Sequence, residues 1–448
     1  LGLLVVCAVA SGVLLVAEPV PVELLLIFLP PLVVVFAGLW QTRPAAVSSQ
    51  GRRLLPGALA GRATMGPPVP VEFAARATPR LASIDNLRVT VIMLVVVHHA
   101  AQAYADVGNG WAIVNATQTP ILRPFLAVND AFGMGLMFLL AGCFTPRTYD
   151  HHGARRLLQK RLVRLGGPTL VVAFGVFLPY TYLTQPAGTP FGAFLRTYLP
   201  RPQVAHMWFA SLLLVFTLGY ALWRALSGPG GAPADGQGKP PGHVAILGFV
   251  VWLGATTALA RLVYPHPGWV SPVPLVWFDP VRLPQYLSLF VVGCAAGRRG
   301  WLLRLPARTG AIWLVVGLGA AALPYATPLL GERLPDALLL RPRAGLGLDA
   351  LLWVGVDALI CVGLCVGLPT LFRERLGRQS PLLRRLSAAS YAVYVTHLLP
   401  VLGLQFLLAD LALDPFVKFL LVVILALPLS FGLAALLRRL PLFAAILA

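Results

Sequence analysis

Two histidines stand side by side, His98 and His99, after nine residues (89–97) that are apolar except for Thr90. An ionisable side chain inside such a run is costly in a bilayer and marks a functional site by default. In helical geometry His99 lies eleven positions after Arg88, about 20° from the same face and roughly 16 Å further along the axis. Asp85 falls about 40° from His99, whereas His98 points about 80° away from Arg88. One stripe of one helix would therefore carry an acid, a base and a titratable imidazole at three depths. A neutral imidazole near pH 7 is the usual general base, and a guanidinium beside a carboxylate suits anion binding. The plainer reading is that both histidines only hydrogen-bond between helices.

A second group lies in HHGARRLLQKRLVRLGGP, residues 151–168, where Arg161 and Arg164 are three apart and project from one side of a helix. A planar guanidinium pair grips phosphate bidentately. The same residues also fit a simple topology signal, which basic residues between membrane spans commonly are.

The elements that must position these groups are membrane helices. Of 448 residues, 58% are hydrophobic and 11% charged, against about 25% charged in a soluble domain. An all-α integral membrane protein is expected. Ten spans are placed near 84–104, 125–145, 165–184, 205–224, 243–264, 283–300, 309–330, 347–372, 387–409 and 415–437, most of them close to the ~20 residues that cross the hydrocarbon. Two further apolar segments occupy 1–40, and a Pro/Gly/Arg-rich linker occupies 41–79. Because the chain opens on Leu and Met65 lies inside the linker, residues 1–64 are expected either to be a divergent appendage or to lie outside the mature protein. The run GPGGAPADGQGKPPG (228–242) reads as a flexible linker. Loops 184–204, with four prolines, and 265–282, with Trp269, Trp277 and Asp279, are long enough to cover one mouth of the bundle.

The net charge of +19 does not indicate nucleic acid, because the basic residues are scattered between apolar spans and form no single patch. Taking the spans alternately, 26 of the 35 Lys and Arg fall on one side and nine on the other. The positive-inside rule makes the richer side cytoplasmic. Both termini are then cytoplasmic, Arg88 sits near the cytoplasmic end of its helix, and His99 sits in the outer half of the membrane. The five cysteines lie in apolar stretches with no CxxC pair and no zinc spacing, so neither a metal nor a disulfide framework is expected. No GxSxG occurs, which disfavours a serine hydrolase.

Five short motifs, in order, resemble the acyltransferase 3 family of polytopic membrane acyltransferases over about residues 80–440. They are Asp85-Asn86-Leu87-Arg88 with His99, Met137-Phe138-Leu139-Leu140-Ala141-Gly142 (Ala where the family has Ser), Arg161 with Arg164, His206-Met207-Trp208-Phe209, and Ser390, Tyr391, Tyr394 and His397. The resemblance implies a multi-pass enzyme of the bacterial inner (cytoplasmic) membrane that moves an acyl group, often acetyl, from cytoplasmic acyl-CoA to a hydroxyl of a glycan or small-molecule acceptor. Acyl-CoA would be a donor substrate, and no cofactor would be permanently bound.

Carried over, the resemblance makes His99 catalytic and has Arg161 and Arg164 serve the acyl-CoA. Arg88 would hold its phosphate or pantetheine end, with Asp85 orienting Arg88 and so assigned to the catalytic set. His397, Trp208 and Tyr391 would line the cavity or simply pack there. A transporter or flippase would also bury charge, but the paired interrupted helices of inverted repeats are not seen. Acceptor, acyl chain and oligomeric state stay open.

Overall fold

The computed structural model describes residues 82–107, 111–227, 238–264, 268–330 and 347–447. The segments 1–40 and 41–79, and most of the expected linker 228–242, lie outside them. The principal helices are α1 (Ala82–Gln102), α2 (Arg123–Arg161), α3 (Trp208–Leu226), α4 (His243–Val263), α5 (Leu283–Arg299), α6 (Ala307–Leu330), α7 (Leu348–Arg375), α8 (Pro381–Thr396), α9 (Leu398–Leu407) and α10 (Pro415–Leu437). The protein is an all-α membrane bundle.

Among the described residues, seven helical runs are long and apolar enough to cross a membrane, or eight if α8 and α9, bent by 60°, count as one span. Two places account for the difference from ten. Pro120–Leu183 takes in both expected spans 125–145 and 165–184, as two helical stretches that meet at a kink. The chain turns at Gly153, whose φ of 74° is left-handed. The other is α5, whose 17 residues stand at the short end of what crosses the hydrocarbon.

Lipid tails are as apolar as leucine, so helices in a membrane associate through close packing and polar contacts. Two glycine pairs permit that closeness. Gly293 and Gly297 of α5 lie against α2, where a Cβ would come within 2.2 Å of Leu139 O and 2.0 Å of Cys143 O. Gly363 and Gly367 of α7 similarly meet α6, the former with Gly317 Cα 2.5 Å from an added Cβ.

Helix α1 runs through the middle of the bundle and packs against α2, α7, α8, α9 and α10. One end of it is pinned by Asn86, whose Nδ2 donates to Leu376 O (2.7 Å) and Arg378 O (2.9 Å) beyond α7. Near the other end, the buried Lys418 of α10 donates to Asn115 Oδ1 and Ala409 O, both at 2.9 Å, tying down the segment that follows α1. These are called the arginine end and the histidine end below.

The two long loops both carry structure at the histidine end. Loop 184–204 contains a helix, Phe191–Tyr198, held back to the bundle by Tyr198 Oη donating to Ala173 O at 2.7 Å. Loop 265–282 contains a hairpin of β1 (Val270–Val273) and β2 (Val276–Phe278), and Trp277 Nε1 donates to Pro202 O at 2.7 Å. Downstream of α2, the backbone is π-helical over Leu162–Gly166 and Val171–Phe177, a distortion frequent at functional sites.

Candidate active site

At the histidine end three imidazoles meet. The bend between α8 and α9 falls at His397, which is completely buried. Its Nδ1 lies 2.8 Å from Tyr394 O. A carbonyl can only accept, so this nitrogen carries the hydrogen, and in the neutral ring Nε2 is then an acceptor. His397 Nε2 lies 3.0 Å from His99 Nδ1, which is also 2.9 Å from Val95 O. Two acceptors therefore face His99 Nδ1, and both are satisfied when that nitrogen holds the proton. The lone pair of a neutral His99 is thereby placed on Nε2. Among the described residues no group takes that nitrogen, and His99 is only partly buried.

The His99 ring is clamped as well as protonated in one sense. Trp111 stacks on it, with centroids 5.3 Å apart and planes 24° apart. Trp111 Nε1 donates to Gln405 Oε1 at 2.9 Å, and Gln405 Nε2 donates to His99 O (3.0 Å) and Ala100 O (3.1 Å). Gln405 is 1% exposed, so this polar strap operates inside the apolar bundle.

His206 completes the cluster, its ring centroid 4.9 Å from that of His397. It follows Ala205, whose φ of 42° is left-handed in a residue with a side chain, a strained conformation that tends to mark functional sites. His206 Nε2 is 2.9 Å from Val395 O, and His206 O accepts from Tyr394 Oη at 2.6 Å. His98 turns the other way, towards α2, with Nε2 3.6 Å from Asp130 Oδ1 and 2.8 Å from Gln102 Nε2.

At the arginine end Asp85 lies 3.7 Å from Arg88. The guanidiniums of Arg88, Arg161 and Arg164 are within electrostatic range of one another. Arg164 stands 5.6 Å over the Tyr391 ring, and Tyr391 Oη donates to Arg164 O. Among the described residues the Arg161 guanidinium makes no hydrogen bond or ion pair. Three neighbouring cations, of which only Arg88 is paired with a carboxylate, leave donors to spare for an anion.

The residues expected from the sequence thus divide into two groups. The structure brings His99 and His397 together, and Arg88, Arg161, Arg164 and Tyr391 together. It does not bring Asp85 to His99: fourteen helical positions, roughly 21 Å, separate them along α1. Asp85 can act on the chemistry only through Arg88. Trp208 sits in an aromatic wall with Tyr286 (5.3 Å), Trp269 of the hairpin loop (5.2 Å) and Phe138 (6.4 Å).

Sequence reasoning missed His206, Trp111 and Gln405 as site residues. It also missed the buried pair of Arg282 Nη1 and Asp357 Oδ2 at 2.5 Å, beside which Gln285 Nε2 reaches Ala131 O. For Gln405 and Asp357 the signal was present, since each is a polar residue inside an apolar span.

A family model described as an acyltransferase domain matches residues 81–436. No curated protein and no solved structure matches the chain.

Proposed function

The chain belongs to the acyltransferase 3 family and is a membrane acyltransferase, and from that premise we propose that it moves an acyl group, acetyl being the simplest, from cytoplasmic acyl-CoA to a hydroxyl of a glycan or other acceptor at the outer side of the membrane. The observation that carries the reading is the pair of acceptors on His99 Nδ1, Val95 O and His397 Nε2, which leaves Nε2 as a base. As the acceptor oxygen attacks the thioester carbon, Nε2 takes the hydroxyl proton. The tetrahedral adduct then collapses, the carbon–sulfur bond breaks, and the imidazolium returns the proton to the departing thiolate. Charge developing on His99 is met by His397 Nε2 on the opposite ring nitrogen.

The donor's phosphates fit the arginine end, where Arg161 and Arg164 offer forked donors and Asp85 holds Arg88. About 16 Å of helix separates Arg88 from His99, a gap that an extended pantetheine arm bridges. With the arginines on the cytoplasmic side, as the distribution of basic residues suggests, the thioester would meet the acceptor in the outer half of the bilayer.

The test separates the adjacent histidines in one assay of acyl transfer, normalised to inserted protein. Loss of a general base costs about 10²–10⁴-fold in rate, so His99→Ala should abolish detectable transfer while acyl-CoA binding persists. His98→Gln should leave substantial activity. A dead His98→Gln beside a live His99→Ala would move the base to the wrong face of α1 and overturn the assignment.

A further inference from the structure

The segment that joins α1 to α2 is fastened back onto its own start. Asn115 N donates to Ala103 O at 3.0 Å, and Thr119 N donates to Tyr104 O at 2.8 Å. Trp111, which stacks on His99, lies in that segment four residues before Asn115. Two links from other helices hold it. Gln405 of α9 accepts from the indole nitrogen, and Lys418 of α10 donates to the Asn115 side chain. The first fixes the edge of the indole, and the second fixes the backbone that carries it.

Lysine is a costly residue for such a link. Lys418 is 2% exposed in the first turn of a helix long and apolar enough to cross the membrane. Its Nζ reaches two neutral oxygens, Asn115 Oδ1 and Ala409 O, each at 2.9 Å. Among the described residues no carboxylate forms an ion pair with it. Asp414, one turn earlier, caps α10 through its Oδ1 instead. An ionisable side chain buried in a span marks a functional demand by default, and the acyl-transfer chemistry described above does not yet use this one.

We propose that Lys418 is a positioning residue for the transfer: through Asn115 it holds Trp111 flat against His99, where the indole face stabilises the cation formed as His99 takes its proton. The inference rests on His99 being the base. The rings are 5.3 Å apart and 24° from parallel, within the ~6 Å at which an aromatic face attracts a cation. A neutral imidazole gains little from that face and an imidazolium gains more, so the contact favours the transition state over the ground state. His397 meets the same charge at Nδ1, along a hydrogen bond, whereas Trp111 meets it across the face of the ring.

The full-length protein in lipid nanodiscs is assayed for acyl transfer, per inserted protein, as Lys418→Met, Trp111→Leu and the double variant. Lys418→Met should lower kcat about 2- to 30-fold, the range of a cation on an indole face, with the KM for acyl-CoA unchanged. Trp111→Leu should lower kcat at least as far, and Trp111→Phe, which keeps an aromatic face, should recover part of the loss. The double variant should be no slower than Trp111→Leu, because the lysine acts only through the indole. Asn115→Leu removes the same link from the other partner and is read in the same way should Lys418→Met fail to insert. Wild-type kcat in Lys418→Met means that Gln405 alone holds Trp111, and losses that multiply in the double variant mean that Lys418 acts elsewhere; either overturns the proposal. The link is also followed without turnover, as the rate at which diethyl pyrocarbonate modifies His99, located by fragmentation mass spectrometry. That rate should rise several-fold in Lys418→Met and in Trp111→Leu, and an unchanged rate overturns the link. The same rise beside a live His99→Ala would remove the base and leave the link standing, so the two failures are read separately.

Discussion

The hydrogen bond between His99 and His397 can be broken from one side, and its loss has a calculable size. In His397→Leu the imidazole that accepts from His99 Nδ1 at 3.0 Å is gone, but Val95 O remains at 2.9 Å. The tautomer is therefore still held, and complete loss of base function is not expected. What disappears is the acceptor that strengthens as His99 becomes cationic in the transition state. A neutral hydrogen bond contributes about 0.5–1.5 kcal/mol and one to a charged group about 1.5–3. The difference, of order 1–1.5 kcal/mol, is roughly tenfold in rate, and loss of ring orientation extends this towards ~100-fold, the usual range for a partner that orients a reacting ligand or base. The assay is thiol release coupled to acylation of a hydroxyl acceptor by purified protein. kcat should fall between ten- and a hundredfold with the KM for acyl-CoA little changed, because the arginine end lies about 16 Å away along α1. His397→Gln, whose Oε1 can accept the same proton, should recover part of the loss. Wild-type kcat in His397→Leu would refute the reasoning. A loss as deep as that of His99→Ala, without recovery in His397→Gln, would make His397 itself the base.

Further outcomes test the frame around this pair. Arg161→Lys and Arg164→Lys keep charge but lose the forked geometry, so both should insert normally and raise the acyl-CoA Kd by tenfold or more; unchanged binding would reduce the cluster to a topology signal. Reporter fusions at Lys239 and Arg304 should read cytoplasmic and one at Trp269 external, and the same side for 239 and 269 would collapse the orientation and with it the assignment of the arginines to the cytoplasm. Arg282→Ala should destabilise the bundle by about 3–5 kcal/mol, because it leaves Asp357 buried and unpaired. Replacing both partners, as Arg282→Met with Asp357→Leu, should cost far less in detergent melting curves; equal destabilisation by the single and the double variant would mean that the residues matter for shape rather than for charge.

How much of this was legible in the sequence depended on how far apart the cooperating residues lie. Spans such as 243–264 and 415–437 matched α4 (His243–Val263) and α10 (Pro415–Leu437) within a residue, because a long apolar run in a membrane has one solution. The break at Gly153 falls in the connection expected between spans 125–145 and 165–184, whereas Phe191–Tyr198 was hidden among prolines that read as loop. The Asp85–Arg88–His99 stripe could be read from spacing, since helical phase acts within a single element. His397 and Gln405 reach His99 from about 300 positions away, and no local period encodes such a contact. His206 was hidden for another reason: its orientation depends on the left-handed backbone at Ala205, where nothing in the residue type announces it.

The placement of both candidate groups on α1 has a mechanical consequence. A helix that carries the anion-binding end and the imidazole end fixes their separation at about 1.5 Å per residue, and α1 is gripped by five neighbouring helices, by Asn86 at one end and by the Gln405 strap at the other. Under the proposed function, adaptation to different donors cannot come from stretching this distance. It must come from the surroundings of α1, where the π-helical turns after Arg161, the bend at His397 and the hairpin beside Trp208 depart from straight α-helix. Substitutions that alter which acyl group or acceptor is used are therefore expected in those three places, and substitutions along α1 are expected to change rate or donor affinity without changing which group is transferred.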